Sequence, residues 1–167
     1  MTSPDLSAFN ALSTDEASEL LRTCLDVPRW VNEVEDGRPY AGWPALRETA
    51  ELSAGRLSDE EVDAALARHP RIGERAGADH DVEHSTREQA GVDTADADVA
   101  VRLRAGNEAY ERRFDRVFLV RAAGRSAQEI LAELDRRLGN DDTTERKEIV
   151  QQLVEIALLR LESVVSR

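Results

Sequence analysis

Cysteine is the scarcest informative residue in this chain: Cys24 stands alone among 167 residues. A single thiol excludes any internal disulfide and fits a reducing compartment, so a cytoplasmic location is expected. Aromatic residues make up only 4 % of the sequence, and the core must therefore come from Leu, Val, Ile and Ala. Positive charge is also in deficit, with 22 basic against 34 acidic residues and a formal net charge of −12. No segment offers a sustained basic stripe, which argues against nucleic acid and against an anionic membrane as partners. Nor does any run approach the 18 apolar residues of a membrane span, and the first residues lack the basic-then-apolar pattern of a signal segment. The closing "VVSR" is not a peroxisomal address. Alternation of period two is missing as well; the nearest approach is "VFLVRAA", residues 117–123, too short and too isolated to build a sheet.

What the chain has in abundance is helix signals. Ser13 with Glu16 makes a capping box ahead of "DEASELLRTCL". Pro28 opens a short helix carrying Trp30, Val31 and Val34, closed by Gly37. A helix from Pro44 stops at Gly55, and Ser58 caps "DEEVDAALARH". A long helix is expected from Thr94 to about Arg116, with Val99, Leu103, Asn107, Tyr110 and Phe114 on one stripe. Ser126 with Glu129 is a second capping box, ahead of Ile130, Leu131, Leu134 and Leu138. A final helix from about Thr144 is lined by Ile149, Leu153, Ile156 and Leu161. The fold class expected is all-α, a single-domain helix-bundle-like fold over residues 1–167.

Residues that break these patterns carry the functional information. Arg160 lies four residues after Ile156, on the apolar face of the last helix. It serves either as a structural ion pair or as a fork for the carboxylate of a ligand. Asn107 interrupts the stripe of the long helix, where a buried amide ordinarily satisfies a loop backbone. In "ARHPRIG", Pro70 disfavours helical geometry at His69, so the helix should stop there and release the imidazole from the bundle surface. A helix C-terminus favours positive charge, which suits a proton donor. Ser85 and Glu88 stand at capping-box spacing, and a short helix starting there would aim its N–H groups at an anion or polar heterocycle. His80 and His84, with Asp79, Asp81 and Glu83 nearby, have metal-like spacing without a reliably helical frame, so a solvated acidic loop is the plainer account.

In order along the chain, "HPRIG" from His69, "STREQ" at Ser85–Gln89, "NEAYERRF" at Asn107–Phe114, "VFLVRAAGRSAQEILAELDRRLGN" and "LLRLESVV" resemble the OHCU decarboxylases. "FNALS", Cys24, Trp30 and "RPY" at Arg38–Tyr40 extend the resemblance over about Phe9 to Leu161. It implies an all-helical enzyme, often a homodimer, that uses no cofactor and no metal. His69 falls on the family's proton-handling histidine, with Pro70 beside the substrate, and Glu88 on its second catalytic residue. The substrate-binding segment matches Ser85, Thr86, Arg87, Glu88 and Gln89. A backbone contact segment matches Phe118, Leu119, Val120, Arg121 and Ala122, and the arginine of the final helix matches Arg160. Many relatives carry a small or apolar residue in place of Arg121, a departure that backbone contacts tolerate. His80 and His84 receive no role.

The reaction so implied is decarboxylation of 2-oxo-4-hydroxy-4-carboxy-5-ureidoimidazoline to (S)-allantoin in urate degradation. The rival readings are a metal-dependent helical-bundle hydrolase using His80 and His84, and a non-catalytic helical binding module. Intact His69, Glu88 and Arg160 speak against the last.

Overall fold

The computed structural model describes residues 4–73, 82–90 and 96–166, apart from the side chains at positions 82, 83 and 85. Among these residues regular structure is helical throughout, and the sole β pairing is an isolated bridge between Asp5 and Ser166. The all-α expectation holds. The chain divides into two compact units, one of residues up to Glu61 together with those from Leu153 onward, the other Val62–Gln152.

In the first unit, α1 (Leu6–Ala11) is a helix the sequence reading passed over. Its signal is Asp5, whose Oδ1 accepts the Ala8 amide at 2.8 Å. The capping box expected at Ser13 and Glu16 opens α2 (Thr14–Cys24). Pro28 occupies the first turn of α3 (Pro28–Asp36) and Pro44 that of α4 (Trp43–Ala54), where a missing N–H costs no helical bond. Trp30 is fully buried and donates its indole N–H to the Ala50 carbonyl at 2.9 Å, joining α3 to α4. Arg29 forks onto Glu61 at 2.9 and 3.0 Å, where the arginine holds the Glu61 carboxyl below its ordinary pKa. The second half of α9 (Asp142–Val164) completes this unit with buried Leu153, Ile156, Leu161 and Arg160.

The second unit holds most of α5 (Asp59–Ala67), α6 (Val82–Glu88), α7 (Ala97–Phe114), α8 (Ala127–Arg137) and the start of α9. The stripe foreseen on α7 is buried at Val99, Leu103, Asn107 and Tyr110 and half-buried at Phe114. It packs against Ile130, Leu131 and Leu134 of α8. Gly106 permits this approach, because a Cβ there would collide with the Leu134 side chain. Asp115, in the left-handed conformation at φ 54°, ends α7. Residues 117–123 follow without helix or strand pairing.

Candidate functional site

The helix α5 stops at Ala67, as Pro70 requires. Contrary to expectation, His69 is not released to the surface; it is 7 % exposed, and Pro70 beside it is also buried. The last turn of α5 captures the ring. Nδ1 lies 2.9 Å from the Ala65 carbonyl oxygen, and a carbonyl can only accept, so Nδ1 carries the proton of this bond. In the neutral ring the lone pair is then on Nε2.

The residues after Pro70 are fastened on several sides. Arg71 makes a two-point ion pair with Glu111 of α7, both contacts at 2.6 Å. Asn107 donates from Nδ2 to the Ile72 carbonyl at 3.1 Å, the loop-backbone role foreseen for it. Its Oδ1, buried, finds no donor among the described residues, a situation that costs about 1–3 kcal/mol when nothing compensates it. The Gly73 amide donates to Gln89 Oε1 at 3.0 Å, which joins "HPRIG" to the end of "STREQ".

The reading of Ser85 as a helix start is corrected. α6 begins at Val82, so Ser85 lies inside the helix and Glu88 is its last residue. The acidic residues ahead of Ser85 had looked like loop, yet the helix already includes "VEH". Seven residues ending at Glu88 offer no free N–H groups at Ser85, and the anion-receptor argument fails there. Glu88 and Gln89 are half-buried, while Thr86 and Arg87 are exposed.

The segment Phe118–Ala122 is held through its backbone. Arg137, from α8, donates Nη1 to the Leu119 carbonyl at 2.6 Å, and the Arg121 amide donates to Gln152 Oε1 at 2.8 Å. Arg137 is itself 0 % exposed, paired with buried Glu145 and stacked 4.8 Å from the Phe118 ring centroid. Tyr110 donates its hydroxyl to the same Glu145, and burial together with that bond pushes the phenol well above its ordinary pKa. Phe118, Val120 and Ala122 share one apolar cluster with Ile72. Three of the sequence-selected segments therefore meet within the second unit.

Arg137, Glu145 and Gln152 were missed by sequence reading, although the rule that flagged Arg160 would have found them. Each sits three, four or seven residues from buried apolar positions of its own helix, Arg137 from Ile130 and Leu134, and Glu145 and Gln152 from Ile149.

Arg160 lies in the first unit, on α9, and is 2 % exposed. His84 is half-buried on α6, while His80 falls outside the described residues. Among the described residues no group of three or more His, Cys, Asp or Glu side chains is placed to hold a metal ion. A cavity of about 630 Å³ opens in the second unit between residues such as Asp63, Arg113, Asp115, Arg116 and Arg146. None of the candidate catalytic or substrate-binding residues lines it, and its charges are partly spent on one another, as in the 3.0 Å pair of Arg116 with Asp63.

Comparison with known proteins decides the family. The family model described as OHCU decarboxylase matches residues 10–162. The chain belongs to the OHCU decarboxylase family. It is 29 % identical over 169 residues to the 2-oxo-4-hydroxy-4-carboxy-5-ureidoimidazoline decarboxylase of Amia calva, covering 96 % of this chain and 94 % of that one. The Haloferax volcanii protein of the same name is 25 % identical over 157 residues, with 93 % of each chain covered. A uric acid degradation bifunctional protein from Bacillus sp. (strain TB-90) is 27 % identical over 160 residues, which are 95 % of this chain but 32 % of that protein. The chain thus spans about a third of that relative's length. Among solved structures, an OHCU decarboxylase crystallised in the presence of (S)-allantoin superposes with a TM-score of 0.72 at 20 % identity, covering 90 % of this chain and 99 % of that one. An (S)-allantoin synthase gives the same TM-score at 16 % identity, covering 96 % and 54 %. These two likenesses establish the shared decarboxylase fold.

Proposed function

We propose that this chain decarboxylates 2-oxo-4-hydroxy-4-carboxy-5-ureidoimidazoline to (S)-allantoin in urate degradation. The observation that carries this reading is the family match over residues 10–162. The substrate suits a protein without a cofactor. Its carboxylate-bearing carbon adjoins a ring C=N bond, so the electron pair freed as CO2 leaves moves into the ring and ends on that nitrogen, which takes up a proton. The resulting enol loses its hydroxyl proton as the carbonyl forms, and the neighbouring carbon takes a proton on one face. What the chain must supply is orientation, with the carboxylate out of the ring plane, and proton traffic.

In this proposal His69 moves the proton through Nε2, with its Nδ1–H fixed on Ala65, and Glu88 positions it or the substrate hydroxyl. Pro70, the Ser85–Gln89 segment and the backbone of Phe118–Ala122 bind the heterocycle, and Arg160 grips its carboxylate. Arg121 contributes through its backbone, since its amide is engaged with Gln152. Further proposals are that residues 1–167 act as one decarboxylase domain, as a homodimer, in the cytoplasm; no helix among the described residues is long and apolar enough to cross a membrane. The test is CO2 release from freshly generated substrate. The purified chain should accelerate it, equally well after exhaustive treatment with EDTA. Loss of activity on chelation, restored by zinc or manganese, would favour the metallo-hydrolase reading of His80 and His84 instead.

A further inference from the structure

We propose that Asn107 is a substrate-contacting residue whose Oδ1 accepts a hydrogen bond from an N–H group of the ureidoimidazoline. The inference rests on the decarboxylase reading and deepens it by naming what the site recognises besides negative charge.

Asn107 is 2 % exposed and flanked along its stripe by buried Leu103 and Tyr110. The orientation of its amide is settled by its partner. The Ile72 carbonyl can only accept, so the Nδ2 group must face it at 3.1 Å and Oδ1 must face the other way. That oxygen is buried and meets no donor among the described residues. A loop-fastening role needs the donor half of the amide and leaves the acceptor half unexplained, and stranded acceptors of this kind call for an account. The location supplies one. Ile72 is three residues from His69, its neighbour Gly73 is bonded to Gln89, and Ile72 shares an apolar cluster with Phe118, Val120 and Ala122. Asn107 is therefore attached where the three candidate substrate segments of this unit converge. The substrate carries a carboxylate and a hydroxyl at one end and N–H donors on its ring and ureido group. An amide oxygen accepts from O–H or N–H but not from the carboxylate, and an N–H partner would fix which edge of the heterocycle faces α7.

The test pairs protein and ligand changes. (S)-Allantoin and analogues with one N–H at a time replaced by CH2 are titrated into the wild-type chain and Asn107→Leu. For the wild type, one replacement should weaken binding roughly tenfold, the scale of one well-made hydrogen bond. For Asn107→Leu the same replacement should change binding by less than about twofold, because the acceptor is already gone. Asn107→Asp guards against a misfolded leucine variant. It gives up the bond to Ile72 but retains an acceptor oxygen, so it should keep the discrimination between the two ligands. Discrimination that survives in Asn107→Leu, or vanishes in a folded Asn107→Asp, overturns the proposal while wild-type turnover stands. A wild-type chain that neither turns over substrate nor binds allantoin overturns the decarboxylase reading itself.

Discussion

At the scale of single residues, the account depends on a histidine whose two nitrogens have different duties. Nδ1 is bound to the Ala65 carbonyl, and the proposed proton transfer uses Nε2. Asparagine places its amide nitrogen close to where Nδ1 sits, so His69→Asn can keep the bond to Ala65 while losing Nε2. Turnover should fall roughly 10²–10⁴-fold, the usual worth of a positioned acid or base, with the melting temperature and helical circular dichroism near wild type. His80→Ala and His84→Ala should leave turnover unchanged. If the double histidine change, rather than His69→Asn, abolished turnover, the roles would be misassigned. Arg160 offers an independent check. Arg160→Lys keeps the charge but loses the planar two-point grip, and binding of the carboxylate-bearing substrate, read as KM in turnover, should weaken by roughly 1.5–3 kcal/mol. Unchanged affinity would remove Arg160 from the site.

At the scale of elements, caps and ion pairs decide where helices begin and how they join. Ser126 and Glu129 bond reciprocally at the start of α8. Ser126→Ala should therefore cost about 1 kcal/mol in denaturant unfolding, and a change near zero would show that tertiary packing alone fixes that end. The buried Arg137–Glu145 pair is worth far more to keep whole. Arg137→Met strands Glu145 and the Leu119 carbonyl, and should cost about 3–5 kcal/mol. Between α8 and α9, exposed Arg136 holds the half-buried carboxyls of Glu133 and Glu148 below their ordinary pKa values. Carboxyls depressed in the folded state stabilise it above their unfolded values and cease to do so as pH falls through the folded ones. The melting temperature should thus stay level through neutral pH and decline below about pH 4. Arg136→Gln should make that decline shallower, as should added salt; an identical profile in the variant would deny the network any role.

Legibility in the sequence divided along the same line. Helices with a punctuating residue (Pro28, Pro44, Ser13, Ser126) were read to within a residue or two, because caps and prolines act locally. The start of α6 does not follow from Ser85 and Glu88, which stand at capping-box spacing although the helix is already running at Val82. The burial of His69 was not legible either, because its ring is turned by a carbonyl four residues back rather than by anything in the "HPRIG" spacing.

At the scale of the whole molecule, a chain of net charge −12 is matched over residues 10–162 by a family of decarboxylases, whose substrate is itself an anion. The net acidic charge sets no obstacle if one local cation, the proposed Arg160, faces the ligand, which places the burden on local chemistry rather than on overall charge. The central claim is that this local chemistry sheds CO2 and then protonates one face of the product. The most direct measurement generates the unstable ureidoimidazoline from urate in situ and follows circular dichroism after the chain is added. The account predicts rapid growth of the signal of (S)-allantoin, in a single sign, at a rate that rises with protein concentration and is lost in His69→Asn. Allantoin that accumulates without optical activity, at the same rate with and without the protein, would contradict it.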